Sequence, residues 1–293
     1  MRILLTGATG FLGSALALHW LKAGHKVALL LRPTSTTKRL LGLDTSFAIE
    51  RYRTDEDLAT FVRNAKPEVV VHTACAYGRQ GETSVQLLDT NLRLGLTILE
   101  ALTDLSQPVS FINTGSALPP GVSHYAISKQ QFSQWGHLIA AQSNGRLKFI
   151  NVLLQQMYGP GDDLSKFAMQ VLYACRRNDP ELRLTAGEQA RDCIYIDDVV
   201  RAYDALLTQH HELDDDLDIE VGSGIAISIR HFVETAHRLT ESQTKLLFGA
   251  LPYRTNEAMH CVANITRLAQ LGWTPALDIN AGLKKTIELE FNA

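Results

Sequence analysis

Apolar positions along the chain form short continuous runs that alternate with longer stretches of helical periodicity. The run RILLTG, residues 2–7, ends at a glycine, as a buried parallel strand often does. The stretch FLGSALALHWLKAG follows with helical spacing and closes at Gly24, and the apolar run HKVALLLR comes next. This order predicts a strand–helix–strand unit whose two strands are parallel.

The same alternation continues to about residue 157. The runs PEVVVHTA, VSFINTG and LKFINVLLQQ predict three more buried strands, and LLDTNLRLGLTILEALTDL predicts a helix between the first two. We therefore predict an α/β fold, a Rossmann-type doubly wound parallel sheet with a smaller C-terminal α/β substrate-binding lobe. The predicted dinucleotide-binding domain comprises 1–157 with returning segments near 187–222, and the predicted lobe comprises 158–186 and 223–293.

Three glycines join the first strand to the first helix in the segment TGATGFLG. Their spacing, G-x-x-G-x-x-G, is a variant of the dinucleotide fingerprint. A pyrophosphate must approach the backbone closely, where a Cβ would obstruct it, and the N–H groups and dipole of the helix favour its negative charge. The segment predicts that a dinucleotide cofactor is bound by Gly7, Thr9, Gly10, Phe11, Leu12 and Gly13.

The end of the second strand predicts which nicotinamide cofactor is used. An acidic residue here would accept a hydrogen bond from the 2′-OH of NAD, whereas an arginine accommodates the 2′-phosphate of NADP. No Asp or Glu lies between Gly13 and Asp44, and Arg32, Lys38 and Arg39 are all present. The sequence predicts a preference for NADP(H), with NAD(H) as the alternative.

Composition excludes several other classes of protein. The chain has 293 residues with 45% hydrophobic and 20% charged residues, and its net charge of −3 provides no basic field for nucleic acid. The four cysteines form no CxxC pair, so we expect no metal site. The N-terminal apolar run is too short for a signal peptide, and no run approaches membrane length. We expect a cytoplasmic protein that binds neither nucleic acid nor membrane.

Motifs along almost the whole chain together resemble one family. The segments TGATGFLG, HTAC, NTGS, YAISK, YGPGDD, RDCIYIDDVV and LGWTP, with Asn91, occur in the order seen in extended short-chain dehydrogenases/reductases of the NAD(P)-dependent epimerase/dehydratase type. By this resemblance Tyr125 is the acid/base residue, Lys129 is its partner, and the Ser116 hydroxyl binds the reacting oxygen. The resemblance also implies that Ala74 and Ala76 line the cofactor, that Asn91 lies on the helix behind them, and that Lys129 reaches the nicotinamide ribose.

The spacing of Tyr125 and Lys129 agrees with that chemistry. Residues four apart in a helix lie on one face, and a lysine cation beside a phenol favours the phenolate. We therefore expect the pKa of Tyr125 to be lowered from its ordinary value of about 10. A proton donor works best when its pKa lies near the working pH.

The short segment between Ser116 and Tyr125 points to one branch of this family. Most extended members have more residues there than ALPPGVSH, and Thr114 is the reserve candidate if Ser116 is out of reach. The compact segment and YGPGDD followed by SKF resemble the branch that reduces 4-keto-6-deoxy nucleotide sugars, which includes CDP-abequose and CDP-paratose synthases and dTDP-linked 4-ketoreductases. This resemblance implies an NADP(H)-dependent oxidoreductase that transfers a hydride to such a sugar, with Tyr125 as proton donor.

Two other functions remain open. A nucleotide-sugar 4-epimerase with tightly bound NAD would use the same tyrosine, lysine and serine. A non-catalytic NADP(H)-binding protein of this fold is the alternative of another class, although both Tyr125 and Lys129 are present. A 4,6-dehydratase is disfavoured, because Ala117 and Leu118 stand where that enzyme carries an Asp-Glu pair.

The resemblance also implies residues that bind a nucleotide-diphosphate sugar. Gln156 stands where the family places a sugar-contacting side chain, and Lys166 is a candidate for the substrate phosphate. Arg191, which Asp192 is expected to orient, and Arg254 are the candidates for the diphosphate, since a guanidinium binds phosphate oxygens with two parallel hydrogen bonds. A structural salt bridge is the alternative role for each arginine. Family members often pair through two helices each, which implies a homodimer.

Overall fold

The computed structural model describes residues 1–41, 48–214 and 216–292. The chain divides into two compact units. The first unit comprises Met1–Leu154 and Tyr203–Ile219, and the second comprises Gln155–Ala202 and Glu220–Ala293.

A seven-stranded sheet forms the centre of the first unit. Its strands are β1 Arg2–Thr6, β2 Lys26–Leu31, β3 Ala48–Arg51, β4 Val69–His72, β5 Val109–Thr114, β6 Leu147–Leu154 and β10 Asp216–Val221. The spatial order is β10-β6-β5-β4-β1-β2-β3, and the pairs from β6 across to β3 are parallel. The order 3-2-1-4-5-6 is that of a doubly wound dinucleotide-binding sheet. The predicted α/β fold is therefore confirmed.

Helices connect these strands. They are α1 Phe11–Lys22, α2 Asp55–Ala65, α3 Ser84–Leu88, α4 Leu94–Thr103, α5 His124–Gln142 and α7 Ile196–Thr208, the last of which begins in the second unit and ends in the first. The single helix predicted for LLDTNLRLGLTILEALTDL is instead α3 and α4 joined by a π-helical turn, Asp89–Arg93. None of the described helices is long and apolar enough to cross a membrane.

The second unit contains smaller sheets and four further helices among its described residues. Its elements are β7 Gln156–Tyr158, α6 Phe167–Arg177, β8 Glu181–Arg183, β9 Ala190–Tyr195, β11 Ala226–Ser228, α8 Ile229–Leu239, β12 Lys245–Leu247, β13 His260–Cys261, α9 Thr266–Gln270 and α10 Ile279–Phe291. Strand β9 pairs with β7, β11 and β13. The segment that returns to the first unit is therefore 203–219, shorter than the 187–222 expected from the sequence.

Three phenylalanines hold α5 against the sheet of the first unit. The rings of Phe111 on β5, Phe132 on α5 and Phe149 on β6 have centroids 5.6–6.0 Å apart, and all three side chains are fully buried. A Cβ at Gly136 of α5 would lie 2.1 Å from Phe149, so only glycine permits this close approach. The packing fixes the position of the N-terminal half of α5, which carries Tyr125 and Lys129.

Candidate active site

The glycine-rich loop lies tightly between the ends of β1 and β4. Gly7 has a φ of +70°, and a Cβ there would be 2.6 Å from the Ala74 nitrogen and 2.6 Å from Thr73 Oγ1. A Cβ at Gly13 would lie 2.2 Å from the Gly7 oxygen. Gly10 donates its N–H to that same oxygen at 2.9 Å and stands at the N-terminus of α1. Gly7 and Gly13 therefore accept no side chain other than hydrogen without a shift of the backbone.

The start of α1 fits a pyrophosphate. Gly10, the residue before the helix, has no side chain to cap the first turn, whose N–H groups in other helices donate to a capping side chain. Thr9 is half-buried in the preceding turn, Phe11 opens the helix, and Leu12 is buried below it. The open N–H groups and the helix dipole therefore suit a negatively charged group held close to the backbone.

Asn91 joins the segment after β4 to α5. Its Oδ1 accepts the Ala76 N–H at 2.7 Å, and its Nδ2 donates to the Ala76 oxygen at 2.9 Å and to Ser128 Oγ at 2.9 Å. Ser128 Oγ in turn donates to the backbone carbonyl oxygen of Tyr125 at 2.8 Å. Asn91 is fully buried in the π-helical turn, a feature that often marks functional sites. It thus couples the predicted cofactor segment to the first turn of α5.

The three predicted catalytic residues lie together in the first unit. Tyr125 and Lys129 are one turn apart on α5, and the Lys129 side chain is almost fully buried. Ser116, two residues beyond β5, lies close enough to Tyr125 for its hydroxyl to favour the phenolate. The thiol of Cys75 lies close enough to affect the pKa values of both Tyr125 and Lys129. The cluster thus contains a phenol, an amine, a hydroxyl and a thiol.

Burial controls the protonation of this cluster. It raises the pKa of Tyr125 above its ordinary value, an effect that Cys75 reinforces and that Ser116 and Arg79 oppose. Burial also lowers the pKa of Lys129. The expectation that the pKa of Tyr125 would be lowered is therefore wrong. Tyr125 remains protonated at neutral pH, as a proton donor must be.

Two tyrosines at the site, Tyr77 and Tyr203, were not predicted from the sequence. The Tyr77 ring lies 4.8 Å from the Tyr125 ring between centroids, and the Arg79 guanidinium lies 5.5 Å from the Tyr77 centroid. Tyr203 on α7 is fully buried and forms a 2.6 Å hydrogen bond with Thr114 Oγ1. The position of Tyr77 shortly after HTAC is a local signal, whereas nothing in the sequence spacing indicates Tyr203.

The Tyr203 contact bears on the choice between the two candidate hydroxyls. Thr114 Oγ1 is engaged by Tyr203, while Ser116 interacts with Tyr125. Ser116 Oγ also accepts the Leu118 N–H at 3.2 Å, which holds the short segment that follows β5. These contacts therefore favour Ser116 over Thr114 as the hydroxyl next to Tyr125.

The basic residues predicted to bind the 2′-phosphate are exposed. Arg32 is the first residue after β2, and Lys38 and Arg39 lie in a short 3₁₀ turn, Lys38–Leu40. β2 lies beside β1, whose carboxyl end begins the glycine-rich loop. The structure therefore places Arg32 at the same edge of the sheet as the loop.

The predicted arginines of the second unit differ from each other. Arg191 is largely buried on β9, where it forms an ion pair with Glu257 and donates to the Ala190 oxygen at 2.8 Å. Arg254 is exposed. The buried Asp192 carboxylate accepts two N–H groups and a hydroxyl from residues 223–224 at 2.6–2.9 Å, and the Ala263 N–H at 3.1 Å. Asp192 therefore holds backbone segments together, and this replaces its expected role in orienting Arg191.

Lys166 and Gln156 are the remaining predicted substrate residues. Lys166 forms a 2.9 Å ion pair with the buried Asp162 carboxylate. Burial raises the pKa of Asp162, and the lysine opposes this effect. That contact supports a structural role for Lys166. Gln156 is exposed at the start of β7, so its side chain is accessible.

No group of three or more His, Cys, Asp or Glu side chains among the described residues is arranged to hold a metal ion. The Cys175 thiol is buried, and the thiols of Cys75, Cys193 and Cys261 are half-buried, all four being free.

Known proteins place this arrangement in a family. The sequence pattern of the NAD dependent epimerase/dehydratase family matches residues 3–222. The chain belongs to that family. Membership confirms the predicted family and the prediction of an NAD(P)-dependent enzyme of the oxidoreductase and epimerase type.

Two relatives match this chain over nearly its whole length. CDP-abequose synthases of Salmonella typhimurium and Salmonella muenchen are 27% and 29% identical to it, across 98% and 99% of this chain and 97% and 98% of theirs. The structure of Thermus thermophilus UDP-glucose 4-epimerase in complex with NAD has a TM-score of 0.82 and 22% identity, covering 99% of this chain and 98% of that one. At that identity the structural likeness establishes the fold alone.

Proposed function

We propose that the protein reduces the keto group of a 4-keto-6-deoxy nucleotide sugar with NADPH. The observation that carries the proposal is a protonated Tyr125 that interacts with Ser116 and shares a helix face with the buried Lys129. A protonated phenol is the form needed to donate a proton to a carbonyl oxygen. The full-length match to proteins named CDP-abequose synthase supports a nucleotide sugar as the substrate.

Each residue of the cluster has a role in this reaction. NADPH, when bound, supplies the hydride. Ser116 donates a hydrogen bond to the substrate's carbonyl oxygen, and Tyr125 transfers its proton to the same oxygen. Lys129 then stabilises the phenolate, because a nearby cation favours the charged form of the phenol. Positioned proton transfer of this kind contributes roughly 10²–10⁴ in rate.

The glycine-rich loop and Asn91 hold the cofactor side of the site. The backbone at Gly7 and Gly13 leaves room only for hydrogen, so the pyrophosphate binds against the first turn of α1. Asn91 fixes the backbone at Ala76, and through Ser128 it also fixes the first turn of α5. This network keeps the segment after β4 at a constant distance from the proton donor.

NADPH rather than NADH is proposed because Arg32 is exposed at the end of β2. A charge-assisted hydrogen bond to the 2′-phosphate is worth about 1.5–3 kcal/mol, which corresponds to roughly a tenfold to hundredfold preference. Arg32→Asp should narrow or reverse the ratio of kcat/KM for NADPH and NADH, since an acid repels the phosphate and accepts from a free 2′-OH. Equal kcat/KM for the two cofactors in the wild-type protein would contradict the proposal.

Substrate binding is proposed for Gln156, Arg191 and Arg254 of the second unit. Arg254 is exposed, and its planar guanidinium can donate two parallel hydrogen bonds to a diphosphate. Arg191 would exchange Glu257 for the substrate, or would remain in its ion pair and leave the task to Arg254. We also propose a homodimer formed through α5, which exposes Trp135 and Leu138 by half of their surface.

The decisive experiment measures NADPH oxidation by the purified protein with a panel of CDP-, dTDP-, UDP- and GDP-linked 4-keto-6-deoxy sugars. The proposal predicts one equivalent of NADPH consumed per sugar reduced, and turnover lowered by roughly 10²–10⁴ in Tyr125→Phe. A 4-epimerase would interconvert 4-hydroxy sugars through tightly bound NAD, without net cofactor consumption. A protein that binds NADPH but turns over no member of the panel would support the non-catalytic alternative.

A further inference from the structure

Arg51 lies beside the proposed 2′-phosphate site but was not among its predicted residues. It is the last residue of β3 and pairs in register with Leu31, the residue before Arg32. Because β2 and β3 are parallel, their carboxyl ends meet at one edge of the sheet. The side chain of Arg51 therefore starts next to the segment that carries Arg32.

One nitrogen of Arg51 contacts three carbonyl groups of that segment. Nη1 donates to the oxygens of Arg32 at 3.0 Å, Pro33 at 3.2 Å and Ser35 at 3.1 Å. The Ser35 N–H also donates to the Arg32 oxygen at 3.0 Å, which closes a tight turn. Three carbonyl dipoles thus converge on a single guanidinium, and the backbone of residues 32–35 is held in one conformation.

The segment that contains Arg32 and Arg51 is strongly basic. Between residues 32 and 53 the sequence has five basic and two acidic residues. Burial raises the pKa of Tyr52 and the charge of Arg32 opposes this effect, which places the Arg32 guanidinium near the residue that follows Arg51. Both guanidinium groups repel each other unless an anion or a set of carbonyl dipoles offsets their charge. The carbonyls of residues 32–35 provide that offset for Arg51, and Arg32 is left exposed to receive an external anion.

We propose that Arg51 is a positioning residue for recognition of the 2′-phosphate of NADPH. It acts through the backbone of residues 32–35, which it holds so that Arg32 and the Ser35 hydroxyl converge on the phosphate. The inference rests on the proposed preference for NADPH. Loss of the Arg51 guanidinium releases the loop, and Arg32 must then be ordered at the moment of binding, which weakens the contact.

The test compares binding of 2′,5′-ADP and 5′-AMP, which differ only in the 2′-phosphate. Dissociation constants are measured for the wild type, Arg51→Met, Arg51→Lys, Arg32→Met and the double variant Arg32→Met/Arg51→Met. Arg177→Met is the control, since it removes one exposed positive charge from the second unit. Retained 5′-AMP binding shows that a variant is folded.

Arg51→Met should weaken 2′,5′-ADP by about tenfold and leave 5′-AMP unchanged. Arg51→Lys keeps the charge without the planar fork and should also weaken 2′,5′-ADP. The double variant should bind 2′,5′-ADP about as well as Arg32→Met alone, because Arg51 acts through Arg32. Arg177→Met should match the wild type.

Four results would overturn the inference. If Arg51→Met keeps the wild-type preference for 2′,5′-ADP, the clamp has no role in recognition. If the effects of the two single variants multiply in the double variant, or if Arg51→Lys binds like the wild type, Arg51 acts by its own charge rather than through the loop. A wild-type protein that binds both fragments equally would instead refute the proposed NADPH preference, and the inference with it.

Discussion

Lowering the pH from 7 to 5 should cost the first unit about 4 kcal/mol of stability, because two of its histidines are buried as neutral groups. His72 is fully buried on β4, with Nδ1 hydrogen-bonded to Thr6 Oγ1 at 2.9 Å. His210 is 1% exposed, with Nδ1 hydrogen-bonded to Ser110 Oγ at 2.8 Å. Neither Nε2 has a hydrogen-bond partner among the described residues, so a proton added there would be a buried, unpaired charge.

The magnitude follows from the two pKa values. Burial, with Lys129 adding to it, lowers the pKa of His72 from 6.5 to about 3. Burial, with His211 and Lys148 adding to it, lowers the pKa of His210 from 6.5 to about 4. The unfolded chain therefore takes up protons below pH 6.5, while the folded protein does not until about pH 4 or 3. Stability is complete above pH 6.5 and falls as the pH drops, by about 2 kcal/mol for each histidine at pH 5.

The assay is urea unfolding followed by tryptophan fluorescence at pH 7, 6 and 5. His210→Gln should be less stable than the wild type at pH 7, yet lose only about half as much free energy of unfolding between pH 7 and 5. His231→Gln, which changes an exposed histidine of α8, should show the wild-type pH dependence. A wild-type protein that loses less than about 1 kcal/mol over this range would refute the reasoning.

The remaining predictions concern the site. Tyr125→Phe should lower turnover of the true substrate by roughly 10²–10⁴ and leave the dissociation constant for NADPH unchanged, as steady-state kinetics and fluorescence titration would show. Ser116→Ala should cost less turnover than Tyr125→Phe, because one neutral hydrogen bond is lost. Thr114→Val should lower the melting temperature rather than kcat, since the Thr114 hydroxyl bonds to the buried Tyr203. If Thr114→Val lost more kcat than Ser116→Ala, Thr114 would be the hydroxyl that binds the substrate's carbonyl oxygen in place of Ser116. Arg254→Met should raise KM for the sugar nucleotide with cofactor affinity unchanged, and an unchanged KM would remove Arg254 from the substrate site.

Local patterns in the sequence were sufficient for the order of strands and helices around the glycine-rich loop. The close approach at Gly7 and Gly13 is required by the backbone next to them, and helical spacing alone puts Tyr125 and Lys129 on one face. Strand β3 and helix α2 were not predicted. α2 nevertheless has a signal in the sequence, since Thr54 and Asp57 form a capping box at its start. β3 has only four residues, two apolar followed by two charged, without the alternation typical of a strand, so it pairs mainly because β2 is already in place.

The sequence by itself thus determined the fold class, the family and the phenol–lysine pair, all of which depend on spacing within one element or on adjacent elements. Tertiary structure alone decided which groups surround that pair and what charge they carry. The pKa of Tyr125 depends on how much of the chain packs around it, and burial outweighs the neighbours that favour the phenolate. The ion pair of Arg191 with Glu257 and the contact of Thr114 with Tyr203 join residues 66 and 89 positions apart. Such contacts form only after the chain has folded, because sequence spacing does not encode which distant side chains share a low-dielectric environment.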